Sequence, residues 1–149
     1  MFLGCHSHYS LRFGTLSVDD LARGARFHGA EAAALTDINA TTGIYDFIRS
    51  CKKEGVKPLI GVDFRNGDKH LYTGLCRNRT GLGELCRIQT ASNLSKEALP
   101  EKPGQLQHCH VIYPMDRAPE QLADNEWIGV RPDQANRLIR FSRQRLRSE

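Results

Sequence analysis

Two histidines near the N-terminus, His6 and His8, have the spacing of a metal-binding pair. They come directly after a short apolar run, residues 1–5, which has the character of a β-strand. Residues two apart on a strand project from the same face, so both imidazoles can address one metal ion or two neighbouring ions. Two unrelated structural histidines give the same H-x-H pattern, so the pair indicates a metal site only where further ligands lie nearby.

Two aspartates are candidates for those further ligands. Asp37 follows a second apolar run, residues 32–36, and Asp63 lies near the end of a third, residues 57–64. In barrel-like α/β folds the carboxyl ends of the strands converge on one rim, so we expect these carboxylates to share a pocket with the histidines. Imidazole and carboxylate ligands suit zinc, manganese or iron, which activate water for phosphoester hydrolysis.

The remaining histidine motifs are weaker signals. His70 lies in a segment that runs back after the turn signal Asn66-Gly67, and it is a further candidate ligand or an ordinary strand histidine. A second H-x-H, at His108 and His110, either joins a site or simply begins a strand. The sequence contains no P-loop, no dinucleotide fingerprint and no assembled nucleophilic triad.

The elements that position the candidate ligands alternate as strand, helix, strand, helix and strand over residues 1–64. The first helix begins after the N-cap Ser17 and ends before Gly29, and the second begins after residues 41–42, with a threonine as its cap, and ends before Gly55. Short connections between alternating elements indicate parallel strands joined by right-handed crossovers. The sequence therefore predicts an α/β sheet or barrel.

The second half of the chain has a less regular pattern. We expect two strands, at residues 109–113 and 127–130, and a hairpin strand at residues 70–76. The other predicted features are a short helix capped by Thr80, an irregular connection over residues 91–107, helices beginning at Pro119 and Pro132, and a last helical pattern with Leu138, Ile139 and Leu146. That last pattern meets no Gly or Pro stop, which predicts that the chain continues in a larger protein.

Composition and charge exclude several classes of protein. The 149 residues are 40% hydrophobic and 26% charged, which argues against a disordered or collagen-like chain. The apolar runs are too short to cross a membrane. The cysteine count is odd and there is no C-x-x-C pair, so we expect buried free thiols and a cytoplasmic location.

The net charge of +4 comes from the C-terminal end, where arginines outnumber acidic residues from Arg131 to Glu149. An arginine-rich segment attracts phosphate groups, and it is equally typical of a solvated helix face.

Three separated motifs resemble the PHP domain, the polymerase and histidinol phosphatase domain. They are H-S-H-Y-S-L at residues 6–11, A-L-T-D at 34–37 and C-K-K-E-G-V-K-P-L-I-G-V-D-F at 51–64. More narrowly, the sequence is similar to the PHP domain at the N-terminus of bacterial DNA polymerase III alpha subunits. The resemblance is dense over residues 2–85 and loose over residues 86–149, and it assigns residues 1–149 to one PHP domain.

The resemblance implies a distorted seven-stranded TIM-like (β/α) barrel, of which this chain holds the N-terminal part. It also implies a metal-binding rim that hydrolyses phosphoesters in active members and has become a scaffold in many replicative alpha subunits. The implied partners are the remainder of a polymerase chain, a proofreading exonuclease subunit, and DNA through the parent protein, with no membrane.

Compared residue by residue with the family, the metal site is incomplete. His6 and His8 match the first motif, and His70 is matched to a later ligand position. Asp37 matches the second motif, but the histidine that follows it in the family is Ile38 here. Asp63 replaces the usual glutamate, and the family's last Asp-x-His is absent. A site that lacks an imidazole ligand would bind zinc or manganese weakly or not at all and would not activate water.

The leading hypothesis is therefore the PHP region of a replicative DNA polymerase III alpha subunit, acting in DNA replication as a scaffold with a degenerate metal site. The parent would be a nucleotidyltransferase, and the region alone would be inactive. The alternative is a stand-alone metal-dependent phosphoesterase of the PHP superfamily. A third hypothesis is a nucleic-acid-binding module that acts through the arginine-rich end.

Overall fold

A computed structural model describes residues 1–134 and 136. Among these residues the chain forms an α/β structure in which helices cross between strands. The strands are β1 (Phe2–Cys5), β2 (Ala32–Leu35), β3 (Lys57–Asn66), β4 (Lys69–Cys76), β5 (Cys109–Pro114) and β6 (Glu126–Gly129). The helices are α1 (Val18–Phe27), α2 (Ile44–Glu54) and α3 (Arg79–Ser95), and a 3₁₀ turn follows at Pro132–Gln134.

The six strands form one curled, half-barrel sheet in the order β1-β2-β3-β4-β5-β6. Strands β1, β2 and β3 are parallel, as the alternating pattern predicts. Strand β4 is antiparallel to both β3 and β5, and β6 is parallel to β5. The carboxyl ends of the first three strands therefore lie at one edge of the sheet, where His6 follows β1, Asp37 follows β2 and Asp63 lies near the end of β3.

Helices α1 and α2 cover one part of the sheet through their apolar faces. The Ser17 hydroxyl accepts the backbone N–H of Asp20 and so caps α1, as predicted, and Gly55 ends α2 in the left-handed conformation. The predicted threonine cap of α2 is wrong: the N-cap is Gly43, without a side-chain hydrogen bond, because the chain turns through residues 42–43 before the helix begins.

Two hydrophobic cores stabilise the fold. The first lies between α1, α2 and the parallel strands, and its fully buried members include Ala22, Phe47 and Cys51. The second lies between α3 and strands β3–β5, where Tyr72 and Tyr113 pack edge to face. Apolar side chains are therefore packed on both sides of β3, and they support the edge of the sheet where the candidate ligands lie.

The hairpin between β3 and β4 contains a β-bulge. Phe64 pairs with Tyr72, but the next residue, Arg65, pairs with His70, so Leu71 is the extra residue on β4. Leu71 and Tyr72 are consequently both buried in the second core. The predicted turn at Asn66-Gly67 is displaced by one residue, since Asn66 still pairs with Lys69 and the loop is residues 67–68.

The structure corrects the prediction for α3. The helix is capped by the Asn78 side chain, which accepts the N–H of Gly81, rather than by Thr80. It continues to Ser95 instead of stopping near residue 88, because the prolines that forbid a helix, Pro100 and Pro103, lie beyond this polar and solvent-exposed last stretch.

The helix predicted at Pro119 is not formed. Residues 115–125 form turns and irregular structure between β5 and β6. Near the end of this segment the Asn125 side-chain amide donates to the carbonyls of Leu106 and Cys109 and so fastens the segment to the chain before and at the start of β5. Pro132 begins only the 3₁₀ turn. The last helical pattern, with Leu138, Ile139 and Leu146, lies outside the described residues.

The structure bears on two expectations from composition. All five cysteines are free thiols, and Cys51 and Cys109 among them are buried. In the part of the chain that the structure describes, no helix combines the length and the apolar character needed to cross a bilayer.

Candidate functional site

Asp63 is the centre of a cluster of charged and ionisable side chains at the edge of the sheet. Its Oδ2 lies 3.0 Å from the Nε2 of His6, and its Oδ1 lies 3.0 Å from the Nε2 of His70. Arg65 donates from Nε to Oδ1 at 3.2 Å and from Nη2 to Oδ2 at 2.8 Å. Each carboxylate oxygen of Asp63 is therefore in contact with one imidazole and with the guanidinium group. We call these four residues the Asp63 cluster.

Three strands bring the Asp63 cluster together. His6 follows β1, while Asp63 and Arg65 lie two apart on β3 and share a face of the sheet. His70 lies on β4, where the bulge at Leu71 turns it to the same side as Asp63. Its Nε2 lies 3.1 Å from the hydroxyl of Thr73, three residues away, a spacing that only the bulge allows on one face.

Arg65 is held in place from two directions. Its guanidinium carbon lies 4.5 Å from the centre of the Phe13 ring, a cation–π contact. The side-chain amide of Asn39 accepts the backbone N–H of Arg65 at 3.0 Å and donates to its carbonyl at 2.8 Å. Asn39 itself has a positive φ of 47°, a conformation that asparagine tolerates better than most residues. Arg65 thus points at Asp63 from a fixed backbone.

The electrostatics of Asp63 are dominated by these neighbours. Its side chain is 5% exposed, and burial alone would raise the pKa of the carboxyl. Hydrogen bonds with His6, His70 and Arg65 outweigh burial and hold the pKa of Asp63 far below its ordinary range. Asp63 is therefore a carboxylate at neutral pH.

Asp37 lies in a separate network, in which all the hydrogen-bond donors are uncharged groups. Its Oδ1 accepts the backbone N–H of Ser7 at 2.7 Å and the hydroxyl of Ser10 at 2.6 Å, while its Oδ2 accepts the hydroxyl of Ser7 at 2.7 Å. The Ser10 hydroxyl in turn accepts the N–H of Ile38 at 2.9 Å. These bonds fasten the loop after β1 to the end of β2, and we call them the Asp37 network.

The five predicted metal ligands are thus divided by the structure. It brings His6, Asp63 and His70 to one point and places Asp37 among serines. His8 is exposed, and its ring lies against that of Tyr9, with 4.2 Å between the centroids. The second H-x-H lies elsewhere: His108 contacts Asn78, and His110 accepts a hydrogen bond from Trp127. Metal ligation by the five residues stays a prediction.

Sequence reasoning did not single out Arg65, Asn39 or the two serines as members of a site. Arg65 had a usable signal, since a residue two positions after a candidate ligand on the same strand shares its face. Ser7 and Ser10 were visible only as isolated hydroxyls, because their partner Asp37 lies 27 to 30 residues away. Nothing in the sequence marks Asn39 as the support of Arg65.

The donor set of the Asp63 cluster can be tested for its fit to a divalent cation. Two imidazoles and a carboxylate are suitable ligand types, but the guanidinium of Arg65 already contacts both oxygens of Asp63. A second cation at the same oxygens would meet a permanent positive charge at close range. Among the described residues, no group of three or more His, Cys, Asp and Glu side chains has the disposition of a metal site. The cluster as arranged does not fit a metal ion unless Arg65 is displaced.

Comparison with known proteins gives matches over most of the chain. A family model described as PHP domain matches residues 3–126. An error-prone DNA polymerase from Symbiobacterium thermophilum is 36% identical over 96 residues, which are 64% of this chain and 9% of that protein. A DNA polymerase III subunit alpha from Ureaplasma parvum is 34% identical over 95 residues, 64% of this chain and 10% of that protein. The matched region thus spans about a tenth of the length of these relatives.

Among solved structures, a protein described as a putative metal-dependent phosphoesterase from Bifidobacterium adolescentis is similar in fold. It superposes with a TM-score of 0.61 at 12% sequence identity and covers 97% of this chain and 82% of its own. At that identity the likeness concerns the fold, which agrees with the mixed α/β sheet described above.

Proposed function

Because this chain belongs to the PHP domain family, we propose that residues 1–149 form the N-terminal PHP region of a replicative DNA polymerase III alpha subunit. The region would be part of a distorted seven-stranded TIM-like barrel in a longer, cytoplasmic nucleotidyltransferase. The matches to polymerase subunits over the PHP region support this proposal. In it, the chain acts as a scaffold in DNA replication and does not itself perform chemistry.

The observation that carries the scaffold proposal is the double contact between Arg65 and Asp63. In the proposal, the guanidinium supplies at the rim the positive charge that a bound metal ion supplies in a catalytic centre. Arginine keeps its charge at all accessible pH values and needs no metal from solution. His6 and His70 then serve as hydrogen-bonding partners of Asp63 that join β1, β3 and β4. No water-activating step is derived for this arrangement.

The proposed partners are the remainder of the polymerase chain, a proofreading exonuclease subunit, and DNA through the parent protein. Exposed apolar side chains beside β1 support contacts with other parts of such an assembly, since large exposed apolar groups in one place mark interaction surfaces. They are Met1, Phe2, Leu3 and Phe27.

The second candidate function is a metal-dependent phosphoesterase. It is favoured by one observation, the convergence of His6, Asp63 and His70 on a single point. If Arg65 moved away, zinc or manganese would be held by these two imidazoles and this carboxylate, and such an ion supplies Lewis acidity and an activated water. The chain's own residues would then have to orient the phosphoester without help from the side chain of Ile38, which has no polar atom.

Activity measurements separate the two functions. The purified chain is assayed on a generic phosphodiester with added zinc or manganese, next to the His6→Ala variant and to His8→Ala as an exposed control. If the chain is a scaffold, the phosphodiester is hydrolysed no faster than in a control that contains the metal ion and buffer without protein. Turnover that His6→Ala abolishes and His8→Ala retains would establish the phosphoesterase instead.

Metal binding by an Arg65 variant tests the proposed replacement of metal by arginine. Removing the guanidinium in Arg65→Ala frees both oxygens of Asp63, so we expect zinc uptake to rise from well below one equivalent towards one equivalent, measured by elemental analysis after dialysis. Arg65→Lys keeps a positive charge and is the matched control, with uptake near that of the wild type. A full equivalent of zinc in the wild type would contradict the proposal.

A further inference from the structure

Cys76 and Cys109 lie directly opposite each other across two antiparallel strands. Cys76 is the last residue of β4, Cys109 is the first residue of β5, and their Cα atoms are partners in the register. The neighbouring pair, Arg77 and His108, is joined by a backbone hydrogen bond from the Arg77 N–H to the His108 carbonyl at 2.9 Å. Hydrogen-bonded and non-hydrogen-bonded pairs alternate along an antiparallel ladder, so Cys76 and Cys109 form a non-hydrogen-bonded pair.

This position suits a disulfide bond. Opposite Cα atoms in a non-hydrogen-bonded pair are about 4.5 Å apart, within the span of roughly 4.4 to 6.8 Å that disulfides bridge. Both side chains pack on the second core, so they project from the same face of the sheet. Cys109 is fully buried, and its thiol donates to the Gly81 carbonyl at 3.2 Å, whereas Cys76 is half-buried and within reach of small solutes.

We propose that Cys76 and Cys109 are a redox modification site, in which a hydroperoxide converts the two thiols into a cross-strand disulfide. The site is separate from the Asp63 cluster and does not rest on the proposed function. In the first step the Cys76 thiolate attacks one peroxide oxygen, the O–O bond breaks, and Cys76 becomes a sulfenic acid while the other oxygen leaves and is protonated. In the second step the Cys109 sulfur attacks the Cys76 sulfur, the S–O bond breaks, and water leaves with the Cys109 proton. Two thiols are oxidised and one hydrogen peroxide is reduced to two waters.

The protonation states of the two thiols favour this order of steps. When the Cys109 thiol turns its one proton from the Gly81 carbonyl to the Cys76 sulfur, this hydrogen bond lowers the pKa of Cys76 despite its burial, which raises the fraction of thiolate at neutral pH. The same hydrogen bond, together with burial, raises the pKa of Cys109, which therefore stays a thiol until Cys76 has reacted. A thiolate next to a resolving thiol is the arrangement of peroxide-sensitive cysteine pairs.

The other cysteines provide an internal comparison. Burial raises the pKa of Cys5, and burial together with the neighbouring Cys5 raises the pKa of Cys51 to about 11. Both remain thiols at neutral pH and should resist peroxide. Cys86 lies on α3, partly exposed, and serves as a control for general reactivity.

Peptide mapping of the oxidised 149-residue chain tests the proposal. The wild-type chain is treated with hydrogen peroxide under native conditions, the peroxide is removed, the chain is unfolded without reductant, the remaining thiols are blocked with N-ethylmaleimide, and the digest is analysed by mass spectrometry. We expect one linked peptide pair that joins Cys76 to Cys109, a mass two hydrogens lower, and alkylated Cys5, Cys51 and Cys86. The measurement uses the wild type, so it does not depend on whether a variant folds.

Variants give a second measurement of the same site. In Cys76→Ser, Cys109 should stay a free thiol after peroxide treatment, and it should react with N-ethylmaleimide only after the chain is unfolded. Cys86→Ser should form the linked pair as the wild type does. Oxidation of Cys76 to a sulfinic acid with Cys109 still free, or a bond between either residue and another cysteine, would overturn the proposal.

Discussion

Asp37 follows β2, and Asp63 lies near the carboxyl end of the neighbouring parallel strand β3. Both side chains are almost fully buried, but they are satisfied by opposite kinds of partner. Asp37 accepts hydrogen bonds from two serine hydroxyls and a backbone N–H, all of them neutral donors. Asp63 contacts an arginine and two histidines. The role of a buried carboxylate is therefore set by the groups that donate hydrogen bonds to it, and not by its position in the sheet.

The difference has energetic consequences. The neutral donors of the Asp37 network are small, buried and attached to the loop after β1, so they have no alternative partner if the carboxylate is removed. The partners of Asp63 have side chains that are 12% to 28% exposed and can turn towards water. We therefore expect the Asp37 network to govern stability and the Asp63 cluster to govern the response to pH and to metal ions.

The largest expected effect is that of Asp37→Ala. The substitution leaves the Ser7 N–H and the hydroxyls of Ser7 and Ser10 without an acceptor in a buried place, which should lower the free energy of unfolding by about 4 kcal/mol. Urea denaturation measures it. Ser10→Ala, which removes one donor of the same network, is the control and should cost about 1 to 2 kcal/mol. A loss below that of Ser10→Ala would contradict the ranking.

Asp63→Ala should have the next largest effect. It leaves a guanidinium and two imidazoles without their shared acceptor, but these groups reach solvent, so we expect a loss of about 2 kcal/mol, the size of a hydrogen bond to a charged group, by the same denaturation. A larger loss in the free energy of unfolding for Asp63→Ala than for Asp37→Ala would contradict the expected order of the two aspartates.

The pH dependence of stability should come from Asp63. Its pKa is lowered in the folded state, so its contribution is complete above the unfolded value of about 3.9 and is lost as the pH falls below it towards the folded pKa. In that window the unfolded chain binds a proton that the native chain does not, and the free energy of unfolding falls by up to about 1.4 kcal/mol per pH unit. Denaturation of the wild type and of Asp63→Ala at pH 4, 3.5 and 3 measures the difference in slope. Parallel slopes would disprove the assignment.

The smallest effect is expected for His8→Ala. His8 belongs to the same H-x-H as His6, but its side chain is exposed and contacts only the ring of Tyr9 among the interactions described above. We expect a change in stability within about 0.5 kcal/mol. His6→Ala, which removes a partner of Asp63, is the matched comparison and should cost about 1 kcal/mol. Equal losses for both histidines would show that the motif acts as a unit.

Much of the first half of the fold is predictable from local pattern. Ser17 caps α1, Gly55 ends α2, and the apolar run before Asp37 is a strand buried on both faces, because capping, chirality and alternation act within a few residues. The second half is less predictable. The cap of α3 is Asn78 and not Thr80, which lies two residues later, and Pro119 begins no helix. The segment after Pro119 is instead tied to distant residues through Asn125, whose partner Leu106 lies 19 positions away.

The candidate site shows the same limit. The sequence places His6, Asp37 and Asp63 at strand ends, and the convergence of parallel strands gathers such ends at one edge. It does not show which donors each carboxylate meets. The serine donors of Asp37 lie 27 to 30 positions away from it, and His6 lies 57 positions from Asp63, so no local periodicity records these contacts. Arg65 is only two positions from Asp63, and there the same-face rule of a strand does give a signal.

By itself, the sequence determined the alternating strands and helices of the first half, the Ser17 cap that begins α1, the glycine that ends α2 and the set of polar residues at the edge of the sheet, because each depends on short-range geometry and on burial of apolar faces. Only the tertiary structure decided that His70 joins Asp63 while His8 does not. A single extra residue on β4 reverses which face each following side chain occupies, and the packing of Leu71 and Tyr72 in the core holds that reversal in place.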